Sequence, residues 1–328
     1  MVKIISVFFA VGTPGKFSNI ETGESHRMVY TLTFSPSIDY VMEMDRLTPG
    51  QMNRASSTHI YPGGKGINVS AVLDTLGVEN TILGFVAGFT GNEIERILKK
   101  NGQKTDFIHL KNGLSRINVK VLSSESTELN APAPAIRKDE LKQLNDKLTR
   151  LTDGDTLVLS GAIPSCLPVY TYRFILDSLK DRNITTVVDT TGDHLLSALE
   201  SRPFLIKPNR EELGELFSTK NISTNDAEKY AHTLQDKGAR NVLISLDREG
   251  AMLLCEDGTL LTREAPRGNV VNPVGAGDSM LAGFIYGWLE TSSYEDALKT
   301  AVCAGSAAAF SSGLPAKDDI MSLRRLLS

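Results

Sequence analysis

TLVLSG (Thr156–Gly161), TTVVDT (Thr185–Thr190), FLIKPN (Phe204–Asn209) and NVLISLD (Asn241–Asp247) repeat one design along the chain. Each opens with a run of β-branched or large apolar residues too short for a helix. Such runs, apolar without alternation, suit strands covered on both faces. Helical stretches separate them, so the reading is parallel strands joined by crossover helices: an α/β fold with a mostly parallel central sheet and helices on both faces. Each run then turns polar: Ser160-Gly161, Asp189-Thr190, Lys207-Pro208-Asn209 and Ser245-Leu246-Asp247. Polar groups therefore collect past the carboxyl ends of the strands, where open α/β sheets bind ligands.

Downstream, Leu281, Phe284, Ile285 and Trp288 recur at helical spacing after Gly275-Ala276-Gly277-Asp278. A second helix is expected to start at Ser292, with Glu295 completing a capping box and a stripe of Ala297, Ala301, Ala304 or Gly305, and Ala308. Upstream, Val29–Phe34 reads as a strand, and Val69, Leu73 and Leu76 mark a helix after Gly63-Gly64-Lys65-Gly66. Asp39–Asp45, Asn53–Ile60, Phe107–Leu110 and Ser115–Leu122 alternate with polar residues. They are expected to form a small β-sheet lid from two insertions, near residues 38–61 and 106–131. Residues 1–27 are read as an N-terminal extension outside the core fold, which occupies 28–328; their apolar stretch is short and lacks a clear cleavage site.

The 328 residues are 41% hydrophobic and 23% charged, which excludes disorder and coiled coil as the main state. Thirty-five basic against thirty-nine acidic residues and no basic block argue against nucleic acid as a partner. No apolar stretch approaches the ~18 residues that span a bilayer, so no membrane partner is expected. Cys166, Cys255 and Cys303 are odd in number and widely spaced, as expected of reduced thiols in the cytoplasm.

Four segments carry candidate chemistry. Asn272-Pro273-Val274-Gly275-Ala276-Gly277-Asp278-Ser279 combines a glycine turn with a helix start, so the amides of Gly275, Ala276 and Gly277 can form an anion hole. Asp278 beside it would repel a bound anion, unless it serves to deprotonate a hydroxyl attacking an electrophilic phosphoryl group. Asp278 favouring the helix dipole is the competing explanation. Pro62-Gly63-Gly64-Lys65-Gly66-Ile67-Asn68 allows close backbone approach and offers a point charge and an amide. Lys207-Pro208-Asn209-Arg210-Glu211-Glu212 places Asn209 and Glu212 three apart at a helix start. Glu212 there can hold water on Mg2+ or simply stabilise the helix. Ser115–Lys120 puts Arg116, Asn118 and Lys120 on one strand face, either solvated or clamping a phosphate. There is no G-x-x-x-x-G-K-[ST], and Gly275-Ala276-Gly277 lacks the glycine that would complete a dinucleotide fingerprint.

In this order along one chain, GGKGINV (Gly63–Val69), KPNREEL (Lys207–Leu213) and NPVGAGDSMLAGF (Asn272–Phe284) resemble the signatures of the PfkB (ribokinase-like) sugar kinases. The resemblance runs from about Met28 to the C-terminus. It implies a ribokinase-like three-layer fold and an ATP- and Mg2+-dependent phosphotransferase. SPSIDY (Ser35–Tyr40), RINVK (Arg116–Lys120), TELNAPAP (Thr127–Pro134) and VVDTTG (Val187–Gly192) are similar to family members acting on ketohexose phosphates. They imply fructose 1-phosphate as acceptor, with tagatose 6-phosphate as the alternative; a non-catalytic sugar-phosphate sensor of the same fold is the rival from another class.

By the same resemblance, Asp278 is the base and the Gly275–Gly277 amides hold the transferring group. Asp39, Gly63, Gly64, Asn68 and Asn118 bind the sugar, and Lys65 and Arg116 its phosphate. Lys207, Asn209, Ser245, Asp247, Gly250 and Gly277 serve the nucleotide, and Glu212 the metal. The lid would pair in a homodimer. The chain departs from the family pattern at Pro273, at Ser160–Cys166, and at Asp247 and Arg248.

Overall fold

The protein, as a computed structural model, is described over residues 27–327; the proposed extension, apart from Arg27, lies outside them. In chain order the strands are β1 (Val29–Thr33), β2 (Ser37–Glu43), β3 (Ser57–Gly63), β4 (Asn80–Ala87), β5 (Thr105–Leu110), β6 (Arg116–Leu122), β7 (Thr127–Asn130), β8 (Thr156–Ser160), β9 (Thr185–Asp189), β10 (Leu205–Ile206), β11 (Asn241–Ser245), β12 (Ala251–Leu254) and β13 (Leu260–Arg263). The helices are α1 (Lys65–Leu76), α2 (Gly88–Lys100), α3 (Lys138–Leu148), α4 (Thr171–Ser178), α5 (Gly192–Leu199), α6 (Arg210–Leu216), α7 (Thr224–Asp236), α8 (Ala276–Thr291), α9 (Tyr294–Ala309) and α10 (Lys317–Leu326).

The larger sheet has the order β13-β12-β11-β10-β9-β8-β1-β4-β5. The strands from β11 to β5 are parallel, and β12 and β13 add an antiparallel edge. The four quoted runs lie side by side as β8 to β11. In β8, Leu157 and Leu159 belong to the buried cluster that includes Ile175 and Leu176 of α4, while Val158 belongs to the cluster on the other face with Val69 and Leu73 of α1 and Leu281 of α8. Both faces are covered, which is why the runs do not alternate. Burying each such side chain contributes about 1.5–3 kcal/mol.

The chain leaves β1 for β4 and β5 on one side and later returns to β8 on the other. The crevice beyond the carboxyl ends of β1 and β8 is therefore a topological switch point, the expected ligand position. A second sheet, β3-β2-β6-β7, arises from the loops after β1 and β5. It is the expected lid, with one correction. Phe107–Leu110 is not part of it but forms β5, the parallel edge strand of the large sheet against β4, so the second lid segment starts at Arg116.

The helix pair α8/α9 also differs in detail from expectation. Ser292 closes α8 in a left-handed conformation (φ 53°), and Ser293 caps α9 by accepting from the Asp296 amide. The stripe Ala297, Ala301, Ala304 and Ala308 is fully buried, as expected.

Candidate active site

Asp278 sits in the first turn of α8, 8% exposed. The turn before it is built by Gly275, whose φ of 81° and ψ of −2° suit the third residue of a type II turn and favour glycine. The Ala276 amide donates to the Pro273 carbonyl at 3.2 Å. The turn thus uses the carbonyl of Pro273 and not the amide that proline lacks, so this departure leaves the turn intact. Among the described residues the amides of Gly275, Gly277 and Asp278 donate to no backbone carbonyl. Ala276, expected to share in the anion hole, is instead engaged in the turn.

Asn68 of α1 donates from Nδ2 to Asp278 Oδ2 at 2.7 Å. Burial first, then the nearby charge of Asp189, pushes the Asp278 carboxyl up to about 6, against the opposing pull of Asn68, Lys207 and Lys65. A carboxylate that is buried, ionised above about pH 6 and beside free amides has the attributes of a general base at an anion hole.

Beneath it, at the end of β9, Asp189 has a side chain with no exposure. Its Oδ1 lies 3.3 Å from Lys65 Nζ and 3.4 Å from Lys207 Nζ, and its Oδ2 is buried without a partner. Lys65 Nζ is also 3.4 Å from Glu212 Oε1. Burial works against the Lys65 charge, but Asp189, Glu212 and Asp278 outweigh it and hold its pKa above the ordinary lysine value. Lys207 Nζ lies beside Gly277, 3.4 Å from where a Cβ there would stand. Two ammonium groups and two carboxylates thus meet at the strand ends beside the α8 turn.

Both explanations of KPNREEL hold at once. Asn209 Oδ1 accepts from the Glu212 amide at 2.7 Å, and Glu212 Oε2 accepts from the Asn209 amide at 2.9 Å, a reciprocal capping box. Glu212 Oε1 is left to face Lys65. The strand-end loop Ser245–Gly250 lies beside this segment: the Ser245 amide donates to the Pro208 carbonyl. The loop turns through Asp247 (φ 52°) and Gly250 (φ 97°).

Across the crevice, Asp39 of β2 accepts at Oδ1 from Ser37 Oγ (2.8 Å) and Asn118 Nδ2 (3.1 Å), and Oδ2 is 2.9 Å from Lys120 Nζ. The register Asp39↔Asn118, Asp39↔Tyr61 aligns these residues on one lid face, as alternation predicts. Gly63 ends β3 against this cluster, and a Cβ there would overlap Asp39 Oδ1 and Ser37 Oγ. A Cβ on Gly64 would strike the Thr33 side chain. Arg116 is half-buried, its Nε is buried without a partner, and it makes no ion pair among the described residues. Burial lowers its pKa, partly offset by Asp39.

The structure therefore brings Asp278, Asn68, Lys65, Lys207, Gly277 and Glu212 together, and groups Asp39, Asn118, Gly63 and Arg116 on the lid side. Lys65, expected beside Arg116, has its amine with Asp189 and Glu212. Three participants had no role in the sequence reading. In the sequence Asp189 reads only as a strand-end polar residue, Lys120 only as a member of an alternating face, and Ser37 only as part of the SPSIDY run.

Residues 32–319 match the model of the pfkB family of carbohydrate kinases. The 1-phosphofructokinase of Bacillus subtilis is 41% identical over 296 residues, covering 90% of this chain and 97% of that protein. A D-tagatose-1-phosphate kinase of Bacillus licheniformis is 36% identical, covering 88% and 94%. Among solved structures, phosphofructokinase-2 of Escherichia coli in complex with fructose-6-phosphate superposes with a TM-score of 0.85 at 28% identity, covering 92% and 99%. The chain belongs to the pfkB family of carbohydrate kinases, with the ribokinase-like fold, and is a phosphotransferase with an alcohol group as acceptor.

Proposed function

We propose that the protein transfers the γ-phosphoryl group of ATP to the C6 hydroxyl of fructose 1-phosphate, giving fructose 1,6-bisphosphate and ADP. The observation that carries this reading is Asp278: buried, bonded to Asn68 at 2.7 Å, and next to unengaged amides at the α8 turn. In the reaction the acceptor oxygen forms a bond to the γ-phosphorus while the bond to the β,γ-bridging oxygen breaks and ADP leaves. The hydroxyl proton passes to a carboxylate oxygen of Asp278. The amides of Gly275 and Gly277, with Lys207 alongside, offset charge on the transferring oxygens.

Asp39 and Asn118 grip the sugar hydroxyls in the space left by Gly63 and Gly64, and Arg116 takes the phosphate already on the sugar. Lys65, with its amine facing the carboxylates, stands between the two substrates. Asn209, Ser245, Asp247 and Gly250 border the nucleotide side.

The donor set suits Mg2+. Among the described residues no group of three or more metal-ligating side chains gathers. The candidates are Glu212 Oε1 and the unpartnered Oδ2 of Asp189. Mg2+ takes one or two carboxylates and keeps its remaining positions for water and phosphate oxygens. Bound there, it would neutralise phosphate charge.

The outer lid face supports a homodimer. By register, Tyr40, Ile60, Ile117, Val119 and Leu129 share it, with Ile60 46%, Ile117 38% and Leu129 60% exposed. The three cysteines are free, consistent with a cytoplasmic setting. No helix among the described residues is long and apolar enough to cross a membrane.

A second acceptor, tagatose 1-phosphate, is favoured by the name of the B. licheniformis relative. Phosphorus NMR of the reaction with MgATP and fructose 1-phosphate tests the proposal. The expected result is a second sugar phosphomonoester growing in step with ADP. ATP hydrolysis to inorganic phosphate with no sugar bisphosphate would overturn it.

A further inference from the structure

Lys120 has a choice of partners. Directly opposite it on β7 stands Glu128, the cross-strand neighbour that a solvated strand face would use. Its ammonium instead reaches diagonally to Asp39 on β2, at 2.9 Å, where the two side chains are only 20% and 17% exposed. Asp39 already accepts from Ser37 and Asn118. A carboxylate offers about four acceptor positions, so three donors from the lid leave one for a ligand hydroxyl. The lid thus aims Asp39 and also supplies a full positive charge beside it.

That charge matters for an anionic acceptor. A carboxylate that binds sugar hydroxyls stands within a few ångströms of the sugar's own phosphate and repels it, at low local dielectric. Arg116 alone would offset Asp39; Lys120 adds a second positive charge in contact with that carboxylate, whereas Glu128, on the same face, is exposed to solvent. We infer that Lys120 is a specificity-determining residue that neutralises Asp39 and so lets the lid grip a phosphorylated sugar. The inference rests on the reading of the site as a sugar-phosphate kinase. It concerns charge compensation at Asp39 and not direct contact with the phosphate.

The test is a double-mutant cycle read by direct binding, so that it does not depend on phosphoryl transfer. Calorimetric titration with fructose 1-phosphate is run on the wild type, Lys120→Gln, Asp39→Asn, the double variant and Lys120→Arg. Lys120→Gln is expected to weaken binding by on the order of tenfold, the scale of one charge–charge interaction across the site. Lys120→Arg restores most of it. In the Asp39→Asn background, where no negative charge needs neutralising, Lys120→Gln costs little further. An equal loss in both backgrounds would overturn the inference by showing that Lys120 holds the phosphate itself, and no loss in either would overturn it outright. Failure of the kinase reading shows separately: wild-type protein would bind the sugar phosphate, with the expected cycle, yet make no bisphosphate. Wild-type protein that binds no fructose 1-phosphate would sink both.

Discussion

Replacing Asp278 by Asn separates catalysis from stability. The amide is nearly isosteric, and its oxygen can still accept from Asn68 Nδ2, now 2.7 Å from Asp278 Oδ2. It cannot accept the acceptor proton. Loss of a general base costs about 10²–10⁴-fold in turnover, or roughly 3–5 kcal/mol on the barrier. The same substitution removes a carboxylate that the fold strains to keep ionised. Its rise from 3.8 to about 6 means that, above pH 6, the charged form costs the folded state roughly 3 kcal/mol, a cost that vanishes as pH falls through 6 towards 3.8. Asp278→Asn is therefore expected to raise Tm by several degrees at pH 7.5, and by less at pH 5. Steady-state kinetics and thermal melts at the two pH values read both effects. Wild-type-like turnover would refute the assignment of the base. A lowered Tm at pH 7.5 would refute the electrostatic account, since Asp278 would then be a stabilising residue.

Three further outcomes follow from the same geometry. The plot of log kcat/KM against pH should fall on the acid side with a midpoint near 6, because Asp278 must be ionised to accept a proton; a profile flat down to pH 5 contradicts this. Arg116→Ala should raise KM for the sugar phosphate about ten- to a hundredfold with little change in KM for ATP, reflecting a lost charge-assisted contact. Equal effects on both substrates would remove Arg116 from its role. Glu212→Gln keeps a side-chain oxygen for the Asn209 amide and so should leave Tm nearly unchanged, while raising the Mg2+ concentration needed for half-maximal activity several-fold. An unchanged Mg2+ titration would leave Glu212 only its helix-capping role.

Where fold and chemistry coincide locally, the sequence was readable. NPVGAGDS carries its own turn, helix start and carboxylate, and the structure shows all three. The strand runs β8 to β11 were readable because burial on both faces removes alternation. β5 misled for the complementary reason: as an edge strand its His109 is exposed while Ile108 and Leu110 are buried, so it looks like a lid strand. β4 escaped notice because it passes straight into Gly88-Phe89 of α2, without the polar residues that mark the other strand ends. The largest gap in the site was Asp189. Its ion pair with Lys65 joins residues 124 positions apart, and no local pattern announces a carboxylate that will share two lysines. The placing of the Lys65 amine with Asp189 and Glu212 has the same origin. Lys120 was visible as a member of an alternating face, but the choice of Asp39 over Glu128 is made by the diagonal geometry of the folded sheet.

The reading stands or falls on a base at Asp278 serving an acceptor that already carries a phosphate at C1. The most direct measurement is kcat/KM in an ADP-release assay with MgATP, comparing fructose 1-phosphate, tagatose 1-phosphate, tagatose 6-phosphate, fructose 6-phosphate and free fructose under one set of conditions. Fructose 1-phosphate is expected to be preferred over fructose 6-phosphate and free fructose by at least about tenfold, the worth of one well-placed charge–phosphate contact. A preference for fructose 6-phosphate or for the unphosphorylated sugar, or turnover of none of them, would contradict it.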